Sequence, residues 1–289
     1  MEILVTHRNQ GPSIRRSLDS LTDQLAPSDR IVLVDANSSD GSFEIIEEYC
    51  VDSPVVMEFG DHLSRGEGRQ RAFELSEDDL VAAHVDLDAT YTPCLRAVVD
   101  FYRELRSERE PGVLLFHGGM IADRDVVAEA GGWRDLQVHE DKDLWMRAAD
   151  HAPVYWLPVS VIDDHLNFEW ESVRYRLRRR YMNYRDALRL GVDETDLAAS
   201  VDHHLSGYER FRDRRLLTAA RLRARPAELG GLHDVTFDPE SHLLRELTFH
   251  TLVDSGALPV ERLGVPDDLS TYVTDRSYPG MTSYATGSS

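Results

Sequence analysis

The sequence predicts an α/β protein built on a mostly parallel sheet with helices on both faces. Three observations lead there. Short apolar runs alternate with amphipathic stretches through the first half of the chain, the pattern of repeated strand–helix units. One run, Arg30-Ile31-Val32-Leu33-Val34-Asp35, is continuously apolar between its ends, as a strand covered on both faces should be. Acidic residues close these runs, Asp35 after one and Asp86 with Asp88 after another, at the edge where open α/β sheets gather ligands.

In order along the chain, Ile3 to Thr6 reads as a first strand, followed by a polar loop from His7 to Ser13. Ile14, Leu18, Leu21 and Leu25 share one face of a helix, and Pro27-Ser28-Asp29 turns the chain into the Arg30–Asp35 strand. Asn37-Ser38-Ser39-Asp40-Gly41 has helix-capping chemistry and leads into a helix through Ile45, Ile46 and Tyr49. Val55 to Phe59 reads as a third strand. Gly66 and Gly68 open a helix to about Leu75, and a further strand ends at Asp86. Gly112 to Phe116 and Pro153 to Leu157 read as strands, with helices at Arg124–Ala130 and Lys142–Asp150 between them.

The pattern changes after Leu166. Trp170, Val173, Leu177, Tyr181, Tyr184 and Leu188 recur at helical spacing, and arginines crowd the remaining positions from 174 to 189. This divides the chain into a catalytic-type domain (1–168), an Arg-rich amphipathic helical extension (169–230) and a C-terminal segment (231–289) with weak helical signal at His242–Leu252. The small, polar tail 280–289 is expected to be disordered.

Charge narrows the function. The 289 residues carry 32 basic against 52 acidic side chains, a net charge of −20, and every basic residue except Lys142 is arginine. An acidic surface nearly free of lysine resembles proteins adapted to molar salt, as in halophilic archaea; a GC-rich genome would also favour arginine. General nucleic-acid binding needs a basic footprint and is excluded. Cys50 and Cys94 are too isolated for a metal cluster or a disulfide framework, which suits a reducing interior. The start of the chain lacks a signal-peptide pattern, and no run reaches the length of a membrane span. The expected location is cytoplasmic, with peripheral contact at the cytoplasmic face of a membrane through 170–190 as the alternative.

An isolated D-x-D in so acidic a chain is usually a decorated turn. Here it stands with Asp35 and with His139-Glu140-Asp141-Lys142-Asp143, which follows the tight turn Gly131-Gly132-Trp133. Hard divalent cations shared with phosphate oxygens need one or two carboxylates, and a further carboxylate can serve as base. On these residues alone the chain reads as a sugar-, nucleotide- or phosphate-handling α/β enzyme.

The order and spacing of these segments resemble the family 2 glycosyltransferases, which have the GT-A nucleotide-sugar fold. The resemblance runs over residues 1–170: Ile3-Leu4-Val5-Thr6-His7-Arg8-Asn9, Val34-Asp35-Ala36-Asn37-Ser38-Ser39-Asp40-Gly41, Arg65-Gly66-Glu67-Gly68-Arg69-Gln70, Val85-Asp86-Leu87-Asp88, Gly131-Gly132-Trp133 and Glu140-Asp141. Ala36 and Gln70 depart from the usual pattern, which bears on base and donor specificity. The resemblance implies that Thr6, Asn9, Asp35, Arg69 and Asp86 bind the nucleotide-diphosphate sugar. It implies that Asp88, Asp86 and His165 hold Mg²⁺ or Mn²⁺, that Asp141 is the base of an inverting transfer, and that Glu140 supports it. Asp40 would order its loop, and Lys142 and Asp143 would lie on the surface. The acceptor would be a glycan, a polyprenyl-phosphate-linked molecule or another hydroxyl. A sugar-phosphate nucleotidyltransferase would need a glycine-rich basic loop after the first strand, which Thr6-His7-Arg8-Asn9-Gln10-Gly11-Pro12 is not. The non-enzyme alternative is a degenerate binding or scaffold subunit.

Overall fold

The computed structural model describes residues 1–51, 54–166, 172–225, 228–244 and 247–274. Its frame is an eight-stranded sheet in the order β10-β8-β6-β7-β4-β1-β2-β3. The strands are β1 (Glu2–His7), β2 (Arg30–Asp35), β3 (Val55–Phe59), β4 (Leu80–Ala83), β6 (Val113–His117), β7 (Gly119–Asp123), β8 (Val154–Ser160) and the short β10 (Glu261–Arg262). All neighbours run parallel except β7, which is antiparallel to both β4 and β6. A separate antiparallel pair joins β5 (Ala89–Tyr91) to β9 (Ile162–His165) beside the carboxyl edge.

Alternation along the strands builds two cores. Leu4, Val32, Val34 and Val81 face one way; Ile3, Val5, Ile31 and Leu33 face the other. The second face is covered by α1 (Gly11–Thr22), α2 (Ser42–Cys50) and α4 (Cys94–Glu108) through Ile14, Leu18, Ile46, Leu95, Val98 and Tyr102. The first is covered by α3 (Arg65–Leu75), α5 (Arg124–Glu129) and α6 (Glu140–Ala149) through Phe73, Val126 and Leu144. The same core continues without a break into α7 (Val173–Leu190), α8 (Glu194–His204), α9 (Gly207–Arg223) and α10 (Phe249–Asp254), through Tyr184, Leu188, Leu197, Leu217 and Phe249. No helix among the described residues is long and apolar enough to cross a membrane.

Four details differ from the sequence reading. The first helix begins at Gly11 rather than Ile14, with Pro12 in its first turn, where a missing N–H costs nothing. β4 stops at Ala83 instead of Asp86, because His84 turns to a left-handed φ of 62°. The long helix α4 was not assigned, although Leu95, Val98, Val99, Tyr102 and Leu105 recur at helical spacing. The expected signal at 242–252 condenses into α10. Trp170 and the tail 280–289 lie outside the described residues.

Candidate active site

The parallel strands deliver their carboxyl ends to one cavity of about 510 Å³. Thr6 and His7 end β1 and Arg8 to Gln10 follow it, Ala36 follows β2, and His84 with Asp86 to Ala89 follow β4. The start of α3 lines the same cavity. Ser64 caps that helix reciprocally with Glu67, which places Arg65 at the cavity wall. α3 lies so close to β1 that a Cβ on Gly68 would meet Thr6 Oγ1 at 2.1 Å, so this position admits only glycine.

The Asp86-Leu87-Asp88 loop is tied down through its backbone. The carbonyl of Asp86 accepts from Tyr91 Oη at 2.7 Å, that of Leu87 from Ser13 Oγ at 2.8 Å, and that of Asp88 from the Leu166 amide at 2.6 Å. Three consecutive carbonyls are therefore held by three separate parts of the chain, leaving both side chains at the cavity. His165 joins them because β9 pairs it with Ala89, the residue after Asp88.

Behind this wall is a buried charge cluster. Arg69 donates to Asp86 Oδ1 at 2.8 Å, and its other terminal nitrogen lies 3.4 Å from Glu140 Oε1. Arg65 stands 4.0 Å from each of the same two carboxylates. Asp141, next along α6, is gripped by Lys142 Nζ at 2.5 Å. The two acids are driven apart electrostatically. Burial raises the Glu140 carboxyl above its ordinary range, against the pull of Arg69, and its Oε2 has no hydrogen-bond partner among the described residues. Burial acts on Asp141 in the same sense, but Lys142 and His84 outweigh it and hold the carboxyl well below its usual value. Neighbouring carboxylates with opposed shifts are a mark of acid–base sites.

The appended helix α7 completes the cavity. Tyr175, Arg178, Arg179 and Met182 line it, spaced i, i+3, i+4 and i+7 on a single helix face. α7 also braces the Glu140 segment: Asp186, fully buried, accepts from the amides of Gln137 at 2.8 Å and Val138 at 3.0 Å.

The site residues expected from sequence fall into two shells. Thr6, Asn9, Asp86, Asp88 and His165 line the cavity. Asp35, Arg69, Glu140 and Asp141 do not. Asp35 is fully buried, accepting from the Ser38 amide at 2.8 Å with His7 Nε2 at 2.9 Å; burial works against its charge, and His7 and Ser38 lower its pKa despite it. Asp40 orders its loop, accepting from the amides of Gly11 and Ser42. Asp143, expected on the surface, is instead wholly buried. Arg134 Nε reaches it at 2.9 Å and Arg147 at 2.6 Å, and Arg147 also bonds the Gly132 carbonyl, so Asp143 locks α6 to the glycine turn. Gln70 Oε1 accepts the Trp133 amide at 2.9 Å and steadies the same turn. Cavity residues the sequence reading gave no role are Arg65, His84, Tyr175, Arg178 and Arg179.

Among the described residues no group of three or more His, Cys, Asp or Glu is gathered to hold a metal. Mg²⁺ or Mn²⁺ needs none when waters and phosphate oxygens fill most of its shell. The oxygen-rich wall of Asp86 and Asp88, with His165 beside it, fits that kind of ion.

Comparisons with known proteins agree with this architecture. Residues 2–109 match the model of glycosyl transferase family 2. No curated protein matches the sequence. Among solved structures, the mannosyltransferase PcManGT from Pyrobaculum calidifontis, in complex with GDP-Man and Mn²⁺, superposes with a TM-score of 0.54 at 17% identity, covering 77% of this chain and 75% of that one. S. aureus TarS gives 0.52 at 16% identity over 78% of this chain, which spans only 44% of TarS. TarS 1–349 in complex with UDP gives 0.51 at 16% identity, covering 77% and 70% of the two chains. The chain shares the fold of these structures, and its residues 2–109 are similar to glycosyl transferase family 2.

Proposed function

We propose that the protein is a metal-dependent inverting glycosyltransferase, moving a sugar from a nucleotide-diphosphate donor to a hydroxyl of a glycan, a lipid-phosphate-linked molecule or a similar acceptor. The observation that carries this reading is the pinned Asp86-Leu87-Asp88 loop facing a cavity of nucleotide-sugar size, with arginines on the opposite wall and a split carboxylate pair beside it. PcManGT binds GDP-Man with Mn²⁺ on the same fold.

Asp88, with Asp86 and His165, would hold the divalent cation, which when bound neutralises diphosphate charge and acts as a Lewis acid toward the leaving group. Thr6 and Asn9 would meet the nucleoside end. Asp35 supports that end from behind, by fixing the loop after β2. Arg69 aims Asp86 from the interior. Arg178 and Arg179 on α7 would face the diphosphate from the other side.

Asp141, partly exposed at the start of α6, would take the acceptor proton as the hydroxyl attacks. Glu140, buried behind it, orients the start of α6 through Arg69 and Arg65.

The test is thermal unfolding with nucleoside diphosphates, with and without Mn²⁺. Stabilisation should require the metal and should vanish in Asp88→Ala. A tenfold excess over Kd is worth about 1.4 kcal/mol, a shift of a few degrees. Metal-dependent stabilisation that survives Asp88→Ala would overturn the assignment of the cation to this loop.

A further inference from the structure

The structure assigns the exposed face of α9 as a docking surface for an anionic phospholipid bilayer, a role that goes beyond the transfer reaction. α9 is apolar on two opposite sides. Its inner side, Leu217 and Ala220, is buried in the core. Its outer side carries Tyr208, Phe211, Arg215, Ala219 and Leu222, which fall within one narrow arc of the helix and point into solvent. Tyr208 is 74% exposed, Phe211 56% and Leu222 81%. Large apolar side chains this exposed are rare along the described chain, and here three share one stripe.

Charge identifies the occupant. The segment 172–225 contains 14 arginines and 7 acidic residues, a net +7, while the remainder of the chain is −27. On α9 the arginines border the stripe: Arg212 and Arg223 on one side, Arg210, Arg214 and Arg221 on the other. Arg214 and Arg221 are spent on Asp202 and Glu194. Arg210, Arg215 and Arg223 make no ion pair with another described residue. Arg215 instead lies over the Phe211 ring, 4.8 Å from its centroid. A stripe of aromatic and aliphatic side chains edged by guanidinium groups is the pattern of a helix lying in a headgroup layer. On an otherwise acidic molecule, such a surface would meet an anionic bilayer with only this side. This contact lies on α9 and not on 170–190, the segment first considered, where the C-terminal end of α7 packs in the core and Tyr175, Arg178, Arg179 and Met182 line the cavity.

Flotation of the full chain with vesicles tests this. Phosphatidylcholine vesicles containing phosphatidylglycerol should bind the protein at least tenfold better than pure phosphatidylcholine at about 0.1 M salt, within the range set by screening of a few arginines. Molar salt should narrow that preference while the stripe retains residual binding. The combined Tyr208→Ser, Phe211→Ser and Leu222→Ser variant should lose binding tenfold or more at both salts, with an unchanged melting temperature. Arg215→Gln with Arg223→Gln should remove the preference for anionic vesicles. Equal binding of the triple variant and the unmodified chain would overturn the assignment. So would absence of vesicle binding combined with a dimer, seen by light scattering, that the triple variant abolishes, or tighter binding to duplex DNA than to anionic vesicles.

Discussion

The two ends of the molecule solve the same problem in opposite ways. In the N-terminal half, the site is built from loops at the ends of buried strands and carries both signs, Asp86 and Asp88 beside Arg8 and Arg65. In the helices after position 172 it is built from one face of a preformed helix, and its charges are positive: Arg178 and Arg179. The first half matches a family model and the helices lie outside that match. The cavity needs both walls. The acids of the first half and the arginines of α7 line the same space.

The sharpest way to break that picture is at the segment the two halves share. Asp141→Asn should lower transfer by about 10²–10⁴-fold, the usual contribution of a positioned base, while metal-dependent nucleotide binding persists. Initial rates and thermal shifts on the same preparation check both. Next comes the brace from α7. Asp186→Ala leaves the partly buried amides of Gln137 and Val138 without this acceptor and should cost about 2 kcal/mol by denaturant titration. Its kcat should fall more than its KM for the donor rises, because the α6 start moves while the nucleotide wall stays.

A milder test addresses the positive wall alone. Arg178→Gln should raise KM for the donor about tenfold, the loss of one exposed charge-assisted contact, and leave stability unchanged. An unchanged KM would confine recognition to the first half. The last test is on pH. Burial pushes His139, just ahead of Glu140, down to about 4. The unfolded chain takes up that proton near pH 6.5, so it binds more protons than the folded one between those values. Stability should fall as pH drops from 6.5 toward 4, by about 1.4 kcal/mol per unit. His139→Gln should flatten that slope in melting curves.

The first half was legible because a strand buried on both faces leaves a plain mark, an apolar run, and the next polar residue then lies at the ligand edge. Asp35, Asp86 and Asp88 were located that way. What the pattern lacks is direction: nothing in Gly119–Asp123 signals that β7 runs against its neighbours. It also lacks partners. Asp143 read as one more solvated acid in an acidic chain, and only the approach of Arg134 and Arg147 from a distant turn and the next helical turn explains its burial. On α7 the apolar spacing of Val173, Leu177, Tyr181 and Tyr184 was correct for packing at its C-terminal end, where Tyr184 and Leu188 are buried, but Val173 is exposed. The functional face, offset around the same helix, mixes Tyr, Arg and Met and leaves no hydropathy signal.

The single lysine gives the site a chemical address. Lys142 is partly exposed and bonded to Asp141, while the other amine of the chain, at Met1, is buried between Asp29 and Asp78. A mild acylating reagent applied to the folded protein can reach the Lys142 amine, which stands against the carboxylate proposed as base. Removing that one positive charge would free Asp141 from its strongest local cation without any change to the gene, so the protein can be titrated between two electrostatic states of its own site by covalent labelling and mass measurement.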